Sequence, residues 1–323
     1  MRGLLVGEYV AQEVLLVERD PIYQEIIGSI LRKGGYSYDL VPNAGEGERM
    51  AREKPYILAV VDIDELKKNL KLARLLRKDQ GIPVILTTSE DVDGDLDLLM
   101  QHKLYLTLHK PFKSRELLRV MEMVLHPDEK KWFGIENYLE DIIKLSRVEI
   151  KNSFQIRATI KQIFQDASSW GYEFQMKNEM DLVWQEILTN ALYHSHGYSQ
   201  YKEKRLAIEL PEPYKVVVRY GCNENQFAVS VRDFCGTLTP EKIFDTLKTS
   251  LEQHKLLERS LVTGEDVTHQ ILDRGRGIDL IRRLTGEYYF VIKPGQSTEV
   301  IIIYEKSYEK DDPFSSIKIL ELV

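Results

Sequence analysis

Two groups of polar residues stand where reactive chemistry would need them. In the first, Asp62 closes the apolar run ILAVV, Thr88 closes PVILT, and Lys110 opens KPF. A carboxylate can accept a phosphoryl group, a hydroxyl can hydrogen-bond the resulting oxyanion, and an ammonium can neutralise it. Glu18 closes an earlier apolar run, VLLV, and Arg19 and Asp20 follow it directly. In the second group Glu186, Asn190 and His194 recur at every fourth residue of WQEILTNALYHSHG, which on a helix sets them on one face. Downstream, QFAVSVRD ends at Asp233 with Cys235 and Gly236 just after it, and DRGRGIDLI carries Gly275, Arg276 and Gly277 to a helix entrance. Glycines at such a start let backbone amides approach a phosphate, which the positive end of the helix also attracts. An acid in a glycine-bearing turn can accept a hydrogen bond from the exocyclic amine of a base, and GQSTEVIIIY brings Thr298 into a returning strand. Polar residues along one helix face are by themselves only a solvated surface. The second group therefore gains meaning from its order, not from any single member.

The elements that must position the first group follow from hydrophobic patterning. Between Val14 and about Leu125, short apolar runs alternate with amphipathic stretches in five strand-then-helix units. That pattern predicts a doubly wound, five-stranded parallel sheet covered on both faces, an α/β domain over residues 1–126. Ligands of such sheets gather at the carboxyl ends of the strands, where Glu18, Asp62, Thr88 and Lys110 all lie. The charged HPDEKK marks a boundary, and WFGIENYLEDIIKLS reads as an amphipathic connecting helix over 127–146, able to support a homodimer if its apolar stripe has no partner within the domain.

From residue 147 the order changes. A strand (RVEI) precedes two helices (QIRATIKQIFQDASSW and MDLVWQEILTNALYHS), and a hairpin (YKVVVRY and QFAVSVRD) turns at GCNEN. A polar helical stretch from Pro240 to Gln270, the helix GRGIDLIRRLTG and the strands YYFVI and TEVIIIY follow. This predicts an α+β two-layer sandwich over 147–308, with a tail at 309–323 whose IKILELV can dock on the protein's own surface or on a partner strand.

Composition narrows the function. The 323 residues carry a formal charge of -7 and hold no dense Lys/Arg block, which argues against nucleic acid as the partner. Cys222 and Cys235, the two cysteines, have no zinc or disulfide-framework spacing, so a reducing cytoplasm is expected. No run approaches membrane-spanning length, and the opening segment, interrupted by Glu8 and Glu13, does not read as a signal peptide.

Over roughly residues 13 to 126 the strand order and strand-end residues resemble the response-regulator receiver family. The resemblance implies that Asp62 is the phosphoacceptor, Thr88 the switch hydroxyl and Lys110 the phosphate-sensing lysine, with a cis bond before Pro111. It also implies Mg2+ held by Asp62 and Glu18. Two departures stand out: receivers usually have two adjacent acids where Glu18 and Arg19 stand, so Arg19 is expected to compete with the cation, and Thr107 occupies the place of an aromatic switch residue.

Over roughly 147 to 305 the order of elements resembles the GHKL-type ATP-binding superfamily shared by histidine kinases and gyrase. The run EILTNALYH is closest to the N-box of the anti-sigma-factor serine/threonine kinases. This resemblance implies an ATP site in which Asn190 holds Mg2+ between the phosphates and Glu186 orients or deprotonates the attacking hydroxyl. His194 lies in the same N-box, Asp233 would read the adenine amine, and Gly236 would stand beside it. Gly275, Arg276 and Gly277 would close on the phosphates, and Thr298 would line the base pocket. The usual Asp-x-Gly-x-Gly turn reads Asp233, Phe234, Cys235, Gly236, Thr237, a departure that would tighten the adenine side. The segment after Pro240 is the natural lid, or else a structural helix pair.

The expected function is a cytoplasmic response regulator whose receiver controls a serine/threonine protein kinase that also sequesters a partner. That partner would be an anti-anti-sigma-like domain or a sigma factor, and a histidine kinase would act upstream. The alternative is an ATP-dependent interaction module with little or no catalysis, in which nucleotide sets the shape of a docking surface.

Overall fold

The computed structural model describes residues 13–64, 66–174, 176–264, 266, 276–306 and 316–322. Its contacts divide the chain into two units. One holds the chain to Glu90 together with Leu106–His126, and the other holds Asp91–Tyr105 together with Pro127 onward.

In the first unit, β1 (Glu13–Val17), β2 (Ser37–Val41), β3 (Leu58–Asp62), β4 (Val84–Thr88) and β5 (Leu106–His109) form an all-parallel array in the order β2-β1-β3-β4-β5. The central strands β1, β3 and β4 are buried on both faces, as a sheet covered on both sides requires. Helices α1 (Pro21–Lys33), α2 (Ala44–Glu53), α3 (Leu66–Arg74) and α5 (Ser114–Leu125) supply the cover, and α4 (Leu96–Gln101) belongs to the other unit. The start of α1 is set locally: Asp20 accepts a hydrogen bond from the Ile22 amide at 2.8 Å, and Pro21 stands in the first turn. Register places Asp62 beside Thr87 and Thr88 beside His109, so the carboxyl ends of β3, β4 and β5 form one edge. The expected five-stranded α/β sheet is present.

The second unit is built from α6 (Glu129–Trp132), β6 (Lys144–Ile150), α7 (Gln155–Ser169), α8 (Lys177–Thr189), α9 (Ser199–Glu203), β7 (Val216–Cys222) and β8 (Gln226–Asp233). It continues with α10 (Pro240–Thr263), α11 (Arg276–Leu284), β9 (Glu287–Lys293), β10 (Ser297–Glu305) and β11 (Ile317–Glu321). Its strands run β11-β9-β10-β8-β7-β6, antiparallel throughout except for the parallel pair β11 and β9. Register sorts the side chains by face. Phe227, Val229, Val231 and Asp233 of β8 lie level with Tyr304, Ile302, Val300 and Thr298 of β10. This is the helix-covered face: the Trp184 indole of α8 donates to the Tyr304 hydroxyl at 2.9 Å, and the Phe174 ring lies 5.1 Å from that of Phe227. Within the same unit α4 packs on α10, and buried Arg282 pairs with Asp93.

One boundary expectation changes, and two boundary features become visible. The connecting helix over 127–146 is not one helix: only Glu129–Trp132 is α-helical, a short turn follows at Ile135–Asn137, and β6 already begins at Lys144. Its apolar residues Trp132, Phe133, Ile135, Tyr138 and Leu139 are buried. The Tyr138 ring lies 4.9 Å from that of Tyr289, and the Gly134 amide donates to Glu299 at 2.8 Å. The segment is a strap on the face of the sheet opposite the helices, so its apolar stripe is used within the unit and no longer argues for a dimer. Each large apolar side chain buried this way contributes roughly 1.5–3 kcal/mol. Second, Asp91–Tyr105, inside the expected 1–126 domain, groups by its contacts with the C-terminal unit. Third, the tail places Ile317–Glu321 in the sheet beside β9, so IKILELV docks on its own unit.

Candidate functional sites

At the carboxyl edge of the first sheet, Lys110 is the hub. Its Nζ lies 2.7 Å from Glu18 Oε2, 2.9 Å from Asp62 Oδ1 and 3.8 Å from Asp64 Oδ2. The side chains of Lys110 and Glu18 are 0% exposed and that of Asp62 is 7% exposed. The Lys110–Pro111 bond is cis, as expected, and the Lys110 amide donates to the Thr88 carbonyl at 2.7 Å. Glu18 Oε1 accepts from the Asp20 amide at 2.9 Å. The structure thus brings together all four residues read from the sequence, Glu18, Asp62, Thr88 and Lys110, and adds Asp64. The Thr88 hydroxyl donates to Asp64 Oδ1 at 2.6 Å, and the Ser89 amide donates to the same oxygen at 2.7 Å.

Burial governs the electrostatics. It raises the carboxyls of Asp62 and Glu18 above the ordinary carboxylate range, against the opposing pull of Lys110. Burial alone would lower Lys110, but hydrogen bonds and charge from Glu18 and Asp62 more than reverse this, and the ammonium is held protonated. Arg19, expected to oppose a cation, is exposed, and Asp20 is committed to capping α1. The competing charge is Lys110 itself. Among the described residues no group of three or more His, Cys, Asp or Glu side chains is arranged to hold a metal. Glu18 and Asp62 suit a hard cation by ligand type, and in this structure both are paired with the Lys110 ammonium.

The second cluster lies in the C-terminal unit, where α8 continues through Asn190–His194 as a π-helical turn. This widening, in which the Ser195 amide reaches the Asn190 carbonyl at 3.1 Å, rotates the next residues out of four-residue register. Glu186 and Asn190 remain together: Lys202 Nζ lies 3.4 Å from Glu186 Oε2 and 3.3 Å from Asn190 Oδ1. His194 does not stay in line. It is exposed, with Nδ1 2.8 Å from Ser199 Oγ. Ser195 takes the inward place and donates to Asp233 Oδ2 at 2.9 Å.

Asp233 is buried and also accepts from the amides of Cys235 and Gly236, at 2.9 and 3.1 Å. Burial raises its carboxyl above the usual range. Gly236 has φ +58, and a Cβ there would meet the Lys293 carbonyl at 2.4 Å, so its glycine serves a close approach to the β9–β10 hairpin. Thr298 faces Asp233 across the β8–β10 pair and is buried, with its hydroxyl oxygen unpartnered among the described residues. An orphaned buried hydroxyl beside a buried acid fits a ligand that carries both donor and acceptor, as a purine edge does. Gly277 lies over Glu186 and Asn190: a Cβ there would sit 3.1 Å from Asn190 Nδ2 and 3.1 Å from Glu186 Oε2. Gly275 lies outside the described residues, as does the Arg276 side chain.

Sequence reasoning missed Asp64, Ser195 and Lys202. The first sits two residues past Asp62 in what reads as a solvated turn. Ser195 needs the π turn, and Lys202 needs the return of α9 over α8.

An α/β unit whose parallel sheet runs 2-1-3-4-5, with an acid, a hydroxyl and a lysine at its carboxyl edge, has the architecture of a doubly wound module that receives its ligand at that edge. The family model described as the response regulator receiver domain matches residues 14–122, and this stretch is a receiver domain. The DNA-binding response regulator MtrA of Mycolicibacterium smegmatis is 26% identical over 119 residues, 36% of this chain and 52% of that protein. The MtrA of Mycobacterium leprae is 26% identical over 108 residues, 33% of this chain and 48% of that protein. The chain spans about half the length of the curated relatives it matches. Among solved structures, the receiver domain of the sensor histidine kinase PA1611 of Pseudomonas aeruginosa, with a magnesium ion in its active-site cleft, is similar at 28% identity. The match covers 36% of this chain and 98% of that one, with a TM-score of 0.32. Among the described residues no helix is long and apolar enough to cross a membrane.

Proposed function

We propose that the receiver domain accepts a phosphoryl group on Asp62 from an upstream histidine kinase and thereby regulates an ATP-binding C-terminal unit. In this reading Asn190 would hold Mg2+ against the triphosphate, Asp233 with Thr298 would read the adenine, and Gly277 would leave room for phosphate beside Glu186. The output would be phosphoryl transfer to a serine or threonine of a small partner domain, joined to sequestration of that partner, in the cytoplasm. Catalysis would rest on positioning and charge neutralisation.

The observation that carries the nucleotide part is the pairing of buried Asp233 with the unpartnered Thr298 hydroxyl, on the same unit as the Asn190, Glu186 and Gly277 cluster. Titration calorimetry with Mg·ATP, run on the full chain and on Asn190→Ala, tests it. Binding that is lost in the variant supports the site, and a folded wild-type chain that binds no nucleotide overturns it.

One observation favours a second reading, nucleotide-dependent binding without transfer. The Lys202 ammonium lies against both Glu186 and Asn190, so the carboxylate that would orient an attacking hydroxyl is already engaged within the unit. Movement of the γ-phosphate of radiolabelled ATP to a partner serine would decide for the kinase. Tight ATP binding with no transfer would decide for the binding module.

A further inference from the structure

The geometry points to Asp64 as an internal stand-in for the phosphoryl group: its carboxylate occupies the anion subsite of the receiver and holds the Thr88 hydroxyl inward while Asp62 is unmodified. This rests on the reading of Asp62 as phosphoacceptor and deepens it.

A phosphoryl group on Asp62 would need a hydroxyl, a backbone amide and an ammonium to stabilise its oxygens. The edge of the sheet offers the Thr88 hydroxyl, the Ser89 amide and Lys110. Asp64 Oδ1 accepts from the first two at 2.6 and 2.7 Å, and its Oδ2 lies 3.8 Å from Lys110 Nζ. A hydroxyl carries one proton. Thr88 Oγ1 lies 2.6 Å from Asp64 but 3.3 Å from the Glu90 carbonyl, and it accepts from the Glu90 amide at 2.9 Å. The proton is thereby committed to the Asp64 carboxylate.

Placement makes this an address and not a chance surface contact. The Asp64 amide donates to Asp62 Oδ1 at 3.2 Å, and Asn69 Nδ2 donates to the Asp62 carbonyl at 2.5 Å, which ties the turn to the end of β3. The Asp64 side chain is 26% exposed, open enough to swing into solvent when displaced.

Competition follows. A phosphoryl group on Asp62 brings more negative charge, about -1.5 to -2 against -1 for a carboxylate, but must first evict Asp64 from the same donors. The wild-type chain therefore takes the group weakly, and its Thr88 switch already rests in the position that an anion would impose.

The test uses the full chain, Asp64→Ala and Asp64→Asn, each with Mg2+ and beryllofluoride, an analogue of an aspartyl-bound phosphoryl group, read by fluorine NMR. The expected result is at least tenfold tighter binding in Asp64→Ala, with a smaller gain in Asp64→Asn, whose amide still accepts a hydrogen bond. The Ser89 amide, followed by hydrogen exchange without any anion, should exchange at least tenfold faster in Asp64→Ala and regain protection when beryllofluoride is added. Equal affinity in wild type and variants, or an unchanged Ser89 amide, overturns the stand-in and leaves Asp62 as the acceptor. Binding by none of the three chains overturns the phosphoacceptor reading, and the stand-in with it.

Discussion

Replacing Lys110 with Met keeps an unbranched side chain, one atom shorter, and removes the charge from a pocket where three carboxylates lie 2.7, 2.9 and 3.8 Å from the ammonium. At an effective dielectric near 20, one such pair is worth about 4 kcal/mol at about 4 Å, and much of that is offset by the cost of burying both charges. What matters is what remains: Glu18 and Asp62, with side chains 0% and 7% exposed, would be left without a cation. Breaking a buried pair from one side costs roughly 3–5 kcal/mol. At about 1.4 kcal/mol per decade, this is roughly a hundred- to several-thousand-fold acceleration of global amide exchange in the receiver core. Proton uptake relieves the loss. Burial already raises both carboxyls, and without the ammonium they rise further. A carboxyl raised in the folded state stabilises below its unfolded pKa, about 3.9 for Asp and 4.3 for Glu, and that contribution is lost as pH rises through the folded value. The gap between wild type and Lys110→Met should therefore be wide at pH 7 and narrow towards pH 4.5. Hydrogen exchange of peptides from β3 and β5, read by mass spectrometry, reports this unit separately from the other. An acceleration below tenfold at pH 7, or one that does not narrow in acid, would refute the account of Lys110 as the charge hub.

Two further outcomes concern the C-terminal unit. Gly277→Ala, at the second residue of α11, gains less than about 1 kcal/mol of helix propensity but sets a methyl 3.1 Å from Asn190 Nδ2 and Glu186 Oε2, so stability should stay within about 1 kcal/mol while Mg·ATP affinity falls at least tenfold. Unchanged affinity in calorimetry would remove Gly277 from the site. Glu299 is fully buried under the strap, accepts from the Gly134 amide, and is raised by burial, so its favourable contribution is complete below about pH 4.3 and is lost as pH rises. Relative to Glu299→Gln, the wild type should gain stability as pH falls from 7 to 4.5. Urea unfolding followed by tryptophan fluorescence checks this, since Trp132, Trp170 and Trp184 all belong to this unit, and an opposite or absent trend would count against it.

The carboxyl edge of the receiver sheet was legible because buried parallel strands write themselves as unbroken apolar runs, so the residue that ends each run is known before any coordinate is. Asp62, Thr88 and Lys110 converge as expected, and the β7–β8 hairpin and the β9 and β10 strands also stand where patterning put them. The connector was misread for an equally physical reason. An apolar residue at every third or fourth position suits a helix, but it also suits an irregular strap whose Trp132, Ile135 and Tyr138 press onto a sheet. His194 fell out of line because one π turn adds a residue that 3.6-residue counting does not anticipate.

The sequence by itself determined the local terms: which runs of the first unit are strands, where they end, and that the termini of β3, β4 and β5 must share an edge. Those features depend on burial periodicity and on neighbours within a few residues. Only the tertiary structure decided that Asp64 takes the Thr88 proton, that Lys202 sits on Glu186 and Asn190, that Ser195 reaches Asp233, and that the last strand lies beside β9. Each of these is a contact across 12 or more residues or across elements, where hydrogen-bond direction and charge choose among many compatible partners. Periodicity in the chain carries no record of that choice.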